Sequence, residues 1–297
     1  MDNGGKARPV FFSKNFSGWL IMLPPLVLFA FFVWVPLLES VRLSLYRANG
    51  MRLISFNGIK NYADVLSHPD FWPALRNTFS YTIWSLIIGF LVPIVLAVII
   101  NEIRTGKSFV KTAVYIPNVV PGIAMVMLWG FIFRPGDTGI LNILLGKVGI
   151  GPQVWLSNPG WTIPLIVVTM TWKGAGATTL LYIAALQGID PELYEAAIID
   201  GANIFKRIRY ITIPCIYNIA RTLLILQIIA VFQILYEPLV MTNGGPNNAS
   251  NSIMQLVFKF AFERFDYPRA AAVSVIISII LVILTALYFR INKRKDT

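Results

Sequence analysis

The 297-residue chain is 56% hydrophobic and only 13% charged, where a soluble domain carries about 25% charged residues, so an integral membrane protein is expected. The net charge of +11 comes from scattered basic residues with no basic stripe; that argues against nucleic acid and for anchoring at an anionic leaflet. One cysteine, Cys215, excludes an internal disulfide, and one histidine, His68, removes most hydrolytic and metal constellations.

A membrane-spanning helix needs roughly 20 apolar residues. No Asp, Glu, Lys or Arg interrupts the chain between Lys14 and Glu39, Arg76 and Glu102, Lys111 and Arg134, or Arg269 and Arg290. Residues 161–187 are broken only by Lys173, and residues 214–238 only by Arg221 and Glu237. Six spans are therefore expected, at about 16–38, 77–101, 112–133, 161–187, 214–238 and 270–289. They form one all-α transmembrane domain, 16–290, between tails 1–15 and 291–297. The first apolar block is too long for a signal-peptide core and lacks a small-residue cleavage site, so it is expected to stay as an anchor.

An even number of spans puts both termini on one side. The tails and short loops of that side hold thirteen basic residues, Lys6, Arg8, Arg104, Arg294 and Lys295 among them, against ten in the longer loops opposite. The short basic loops decide the orientation, with both termini in the cytoplasm. The outer loops, about 39–76, 134–160 and 239–267, carry the breakers RPGD, SNPG and TNGGPNN. In the first of them, GIKNYADVLSHPDFWPALRN reads as one or two short amphipathic helices on the membrane surface.

Between spans four and five lies PELYEAAIIDGANIFKRIRYITIP. Asp190 is placed to cap a helix that Pro191 opens, with Glu192 and Glu195 on one face near its N-terminus. The helix should stop at Asp200, with Gly201 in the left-handed position that ends it. A second short helix then leads to Pro214, where span five begins. A solvated connector is the plain alternative. A capped hairpin exposing Leu193, Tyr194, Ile198 and Phe205 instead calls for a partner surface.

The residues EAAIIDGANIFKRIRYITIP match the EAA motif of ABC-importer permeases at every fixed position except Ile213, which stands for leucine. FWPALRNTFSYT, YIPNVVPGIAMVMLWGFIF and VMTNGGPNNASNSIMQLVFKFAF resemble segments of the carbohydrate-uptake permeases of the MalF type. The resemblance implies the type I importer permease fold in its compact six-span form. It also implies coupling helices, 190–213, in a cleft of an ATP-binding subunit. There Glu195 would meet a basic residue, Ala196 and Ala197 would pack, Asp200 and Gly201 would make the turn, and Pro214 would start the next span. Implied partners are an ATPase dimer, a second permease subunit that makes a heterodimer, and an external solute-binding protein. The implied place is the bacterial or archaeal plasma membrane, with ATP bound by the partner and no cofactor on this chain.

Polar groups inside spans mark pathways or partners. Trp172, Lys173, Gly174 and Gln227 are the candidate substrate path. Trp172 and Gly174 match path positions of the family, whereas Lys173 departs from its usual apolar residue and points to an acidic sugar. The alternative is that Lys173 pairs with an acidic residue for structure and Trp172 packs in the core. TGKS at Thr105–Ser108 lacks the glycine and the strand of a phosphate-binding loop. The reading is a sugar-import permease, not an enzyme. A permease for an amino acid or polyamine, an intramembrane enzyme, and a channel or scaffold remain its rivals.

Overall fold

A computed structural model describes residues 11–50, 52–103 and 105–293. Lys6, Arg8, Arg104, Arg294 and Lys295, used above for orientation, lie outside the described residues.

The chain is helical almost throughout. Its elements are α1 (Gly18–Ser44), a hairpin of β1 (Tyr46–Asn49) and β2 (Arg52–Phe56), α2 (Lys60–Leu66), α3 (Phe71–Glu102), α4 (Lys107–Val119) and α5 (Gly122–Ile132). There follow α6 (Ile140–Gly146), α7 (Pro159–Gln187), α8 (Pro191–Ile199), α9 (Ile204–Phe232), α10 (Tyr236–Thr242), α11 (Ile253–Phe258) and α12 (Tyr267–Lys293).

Among the described residues, α1, α3, α9 and most of α12 are each long and apolar enough to cross a membrane, and the pair α4 and α5 makes a fifth crossing if counted as one. That pair is bent by 98°. Pro121 causes the break, because a residue before proline is driven out of the helical region; Val120 is accordingly extended, at ψ 128°. A straight helix over 112–133 is thus replaced by two meeting at an angle.

Helix α7 has the length to cross, at 29 residues, but its middle is too polar to class with the others. It is the central helix and buries residues on several faces, Ile166, Thr169, Gly176, Thr179 and Tyr182 among them. A helix surrounded by helices has little lipid to satisfy, so threonine, glycine and lysine are tolerated there. Gly176 is essential to the packing: a Cβ on it would lie 2.3 Å from the Val114 carbonyl oxygen of α4.

Three long runs share one device. Wide π turns at Ala30–Trp34, Ser85–Gly89 and Ile208–Thr212 precede Pro36, Pro93 and Pro214. A proline cannot bond the carbonyl four residues back and its ring collides with it. In each run that carbonyl lies inside the widened turn, which accommodates the ring without ending the helix.

Two core clusters flank α7. One joins Tyr81, Ile163, Ile166 and Val231; the other joins Ala97, Tyr182, Leu186 and Ile216. A third gathers Val65, Phe71, Leu256, Phe260 and Val273 where α2, α11 and α12 meet the start of α3. α3 starts at Phe71, so the second half of the expected surface helices belongs to the long run itself. α1 is exposed from Gly18 to Leu38, while its C-terminal turns pack along α12 and bury Ser44.

Candidate functional site

The hairpin between α7 and α9 forms as its residues require. Asp190 accepts a hydrogen bond from the Glu192 amide at 3.0 Å, with Pro191 in the first turn of α8. Gly201 takes φ +74°. The Gly201 amide donates to the Ile198 carbonyl at 3.0 Å and the Ala202 amide to the Ala197 carbonyl at 2.8 Å. These two bonds are the Schellman closure of a helix C-terminus. Asn203 then caps α9, accepting from the Lys206 amide at 3.0 Å. That cap has a sequence signal, an asparagine just ahead of a helical stretch.

The short helix before Pro214 and the run after it are one helix: α9 continues without interruption from Ile204 to Phe232, because the π turn at Ile208–Thr212 absorbs the proline. The hairpin is therefore α8, a locked turn, and the first turns of a helix that continues to Phe232. Gln227 lies about 35 Å along that helix from Ile204, at roughly 1.5 Å per residue.

Glu195 and Ala196 are exposed and Ala197 is half-buried. Apolar side chains surround them in the open: Ile199 is 86% exposed, Phe205 77% and Tyr210 71%. Tyr194 is half-buried and turns inward, its hydroxyl 3.0 Å from Thr212 Oγ1, which ties α8 to α9. So Leu193, Ile198 and Phe205 face outward as expected, whereas Tyr194 anchors the hairpin.

The polar residues within the helices fall into two groups. Gly174 and Gln227 line one groove of about 300 Å³, together with Ser85, Gly89, Thr171 and Thr178. Gln227 Nε2 donates to the Ser85 carbonyl at 2.8 Å and stands 2.6 Å from Ser85 Oγ. Gly89 makes room for this: a Cβ there would lie 2.7 Å from Gln227 Nε2. Nothing in the sequence pointed to Ser85 or Gly89.

Trp172 and Lys173 do not line that groove. The Trp172 ring packs edge-on against Trp129 of α5, with centroids 5.8 Å apart. Lys173 reaches toward the α4–α5 break, where its Nζ lies 3.6 Å from the place a Cβ on Gly122 would take. Glu237 on α10 is near enough to feel the lysine's charge without pairing with it.

The family model described as "Binding-protein-dependent transport system inner membrane component" matches residues 89–297. The chain belongs to that family. The permease is thus a multi-pass membrane component of a transport system and not an enzyme. It is 33% identical over 284 residues to the trehalose/maltose transport system permease protein MalF of Thermococcus litoralis, covering 94% of this chain and 95% of the relative. It is 32% identical over 279 residues to the lactose transport system permease protein LacF of Rhizobium radiobacter, covering 92% and 93%. Its fold superposes with a TM-score of 0.82 and 25% identity on a chain of a bacterial ABC transporter involved in import of the acidic polysaccharide alginate, covering 95% of this chain and 96% of that one.

Proposed function

We propose that this permease is one transmembrane subunit of an ATP-driven carbohydrate importer and forms half of its translocation pathway. The relatives named for trehalose/maltose and lactose transport support a sugar. In this reading 16–290 is one six-helix domain, with α4 and α5 together making the third crossing and α7 the fourth. Both termini and the hairpin 190–213 face the cytoplasm.

The observation that carries the reading is the hairpin: a helix capped at both ends, projecting exposed Glu195 and Ala196 beside unpartnered apolar side chains. An ATP-binding subunit dimer is its partner. Ala196 and Ala197 allow close approach, Glu195 offers a charge, and Asp200 and Gly201 keep the turn rigid. Closure of the ATPase dimer on ATP would move the hairpin as a body, and the unbroken α9, Pro214 included, would carry that displacement to Gln227. A second, non-identical permease subunit completes the pathway, and an external solute-binding protein delivers sugar. The assembly belongs in the bacterial or archaeal plasma membrane, and nucleotide binds the ATPase, with no cofactor on this chain. Gly174 and Gln227 line the sugar path, with Trp172 and Lys173 beside it.

The test is Glu195→Lys in the purified complex reconstituted in liposomes. Loss of sugar-coupled ATPase and import is expected while the subunits still copurify. Normal import by that variant would refute the coupling role.

A further inference from the structure

Lys173 sits at the midpoint of α7, where an ammonium within a membrane is costly. Such a group is expected to be satisfied by hydrogen bonds or a closed ion pair. Among the described residues Lys173 Nζ has neither: Glu237 acts on it electrostatically but makes no contact within ion-pair distance. Two further donors nearby are also idle. Tyr236 Oη and Trp129 Nε1 are both buried from solvent without a hydrogen-bond partner.

Lys173 and Tyr236 meet at the break between α4 and α5. Tyr236 Cζ lies 3.4 Å, and Lys173 Nζ 3.6 Å, from the point a Cβ on Gly122 would occupy. Trp129 stands two turns further along the same face of α5 and packs against Trp172. The cluster thus offers one ammonium, two neutral donors and two indole rings beside a backbone cleared by glycine.

We propose that Lys173, Tyr236 and Trp129 form a subsite for the carboxylate of an acidic sugar, so that the imported carbohydrate bears uronate residues. This rests on the carbohydrate-import reading and names its substrate class. Charge sets the choice of anion. A single ammonium flanked by neutral donors suits a singly charged carboxylate rather than a phosphate dianion. The indole rings match the C–H face of a pyranose.

The test uses the copurified complex in liposomes with its external binding protein, and compares uptake of a labelled mannuronate trisaccharide with that of maltotriose. The wild type is expected to import the mannuronate trisaccharide. Lys173→Met should lower the mannuronate-to-maltotriose uptake ratio about tenfold or more, the range for losing a hydrogen bond to a charged group, and Lys173→Arg should restore most of it. If Lys173→Met does not assemble, Tyr236→Phe is read instead and should lower the same ratio. An unchanged ratio in the variant read overturns the subsite. A wild type that imports maltotriose and rejects the acidic sugar overturns it too, while the carbohydrate reading stands. A wild type that imports an amino acid or polyamine and neither sugar overturns both.

Discussion

Gln227 on α9 and Ser85 in the π turn of α3, 142 residues apart, are joined at a single amide, with Nε2 2.8 Å from the Ser85 carbonyl and 2.6 Å from its hydroxyl. The wide turn brings Ser85 within reach, and Gly89 leaves the space the amide needs. Gln227→Leu should remove these bonds and lower stability by about 1–3 kcal/mol. A thermal melt of the complex in detergent checks this, and import should fall further than stability alone explains. Gly89→Ala should act in the same direction but less, since the amide it crowds can turn aside.

Gly201 at φ +74° closes the hairpin. An L-residue in that conformation costs roughly 1–2 kcal/mol. Nothing lies within 4 Å of the place its Cβ would take, so Gly201→Ala should leave assembly intact while loosening the turn. Coupled ATPase should fall several-fold relative to basal turnover, and turnover assays with and without sugar-loaded binding protein measure the split.

These two sites differ in how plainly the sequence announced them. The hairpin was legible because its signals are local: Asp190 and Pro191 open a helix, Gly201 ends it, and the apolar residues between lack a partner. Its continuation was not. The sequence reads as a second short helix leading to Pro214 and the next span, and only the π turn before the proline shows one helix passing through. In the same way, uninterrupted hydrophobicity over 112–133 concealed the bend that Pro121 imposes. The groove was half legible: Gln227 stood out as polar among apolar neighbours, whereas Ser85, 142 residues away, and Gly89 beside it matter only through their packing against that side chain. Trp172 and Lys173 adjoin Gly174 in sequence, yet neighbours on a helix point in different directions, and these two turn toward α5.

Gly176 tests the central packing. A Cβ there would meet the Val114 carbonyl at 2.3 Å and Tyr115 Cα at 2.9 Å, both backbone atoms that cannot swing aside. Gly176→Val should force α4 from α7 at a cost of about 3 kcal/mol. Yield of monodisperse protein after solubilisation is the readout, and a wild-type yield would contradict the packing.

His68 lies in the segment between α2 and α3. Burial lowers its pKa, against an opposing pull from Asp70, and the charge of Arg264 adds to the lowering. Arg264 Nη1 stands 3.0 Å from His68 Nε2. An arginine only donates, so this nitrogen must accept, and protonation would set an N–H against the guanidinium. The folded state therefore favours neutral His68. Its contribution is present above the ordinary histidine pKa of 6.5 and is lost as pH falls through and below that value. Melting temperature should drop on acidification from pH 7 to 5 by more in the wild type than in His68→Asn. Parallel pH profiles would contradict this.

The central claim is that the hairpin of α8 and the start of α9 receives the motor. The direct measurement is site-specific crosslinking in whole cells. Cys215, free and exposed, is first replaced by serine, and Ala196→Cys is then introduced beside Glu195. The expected result is a crosslink to the ATP-binding subunit, together with protection from a membrane-impermeant thiol reagent applied outside the cell. Labelling of Cys at 196 from the outside, or the absence of any crosslink to that subunit in an assembled complex, would contradict it.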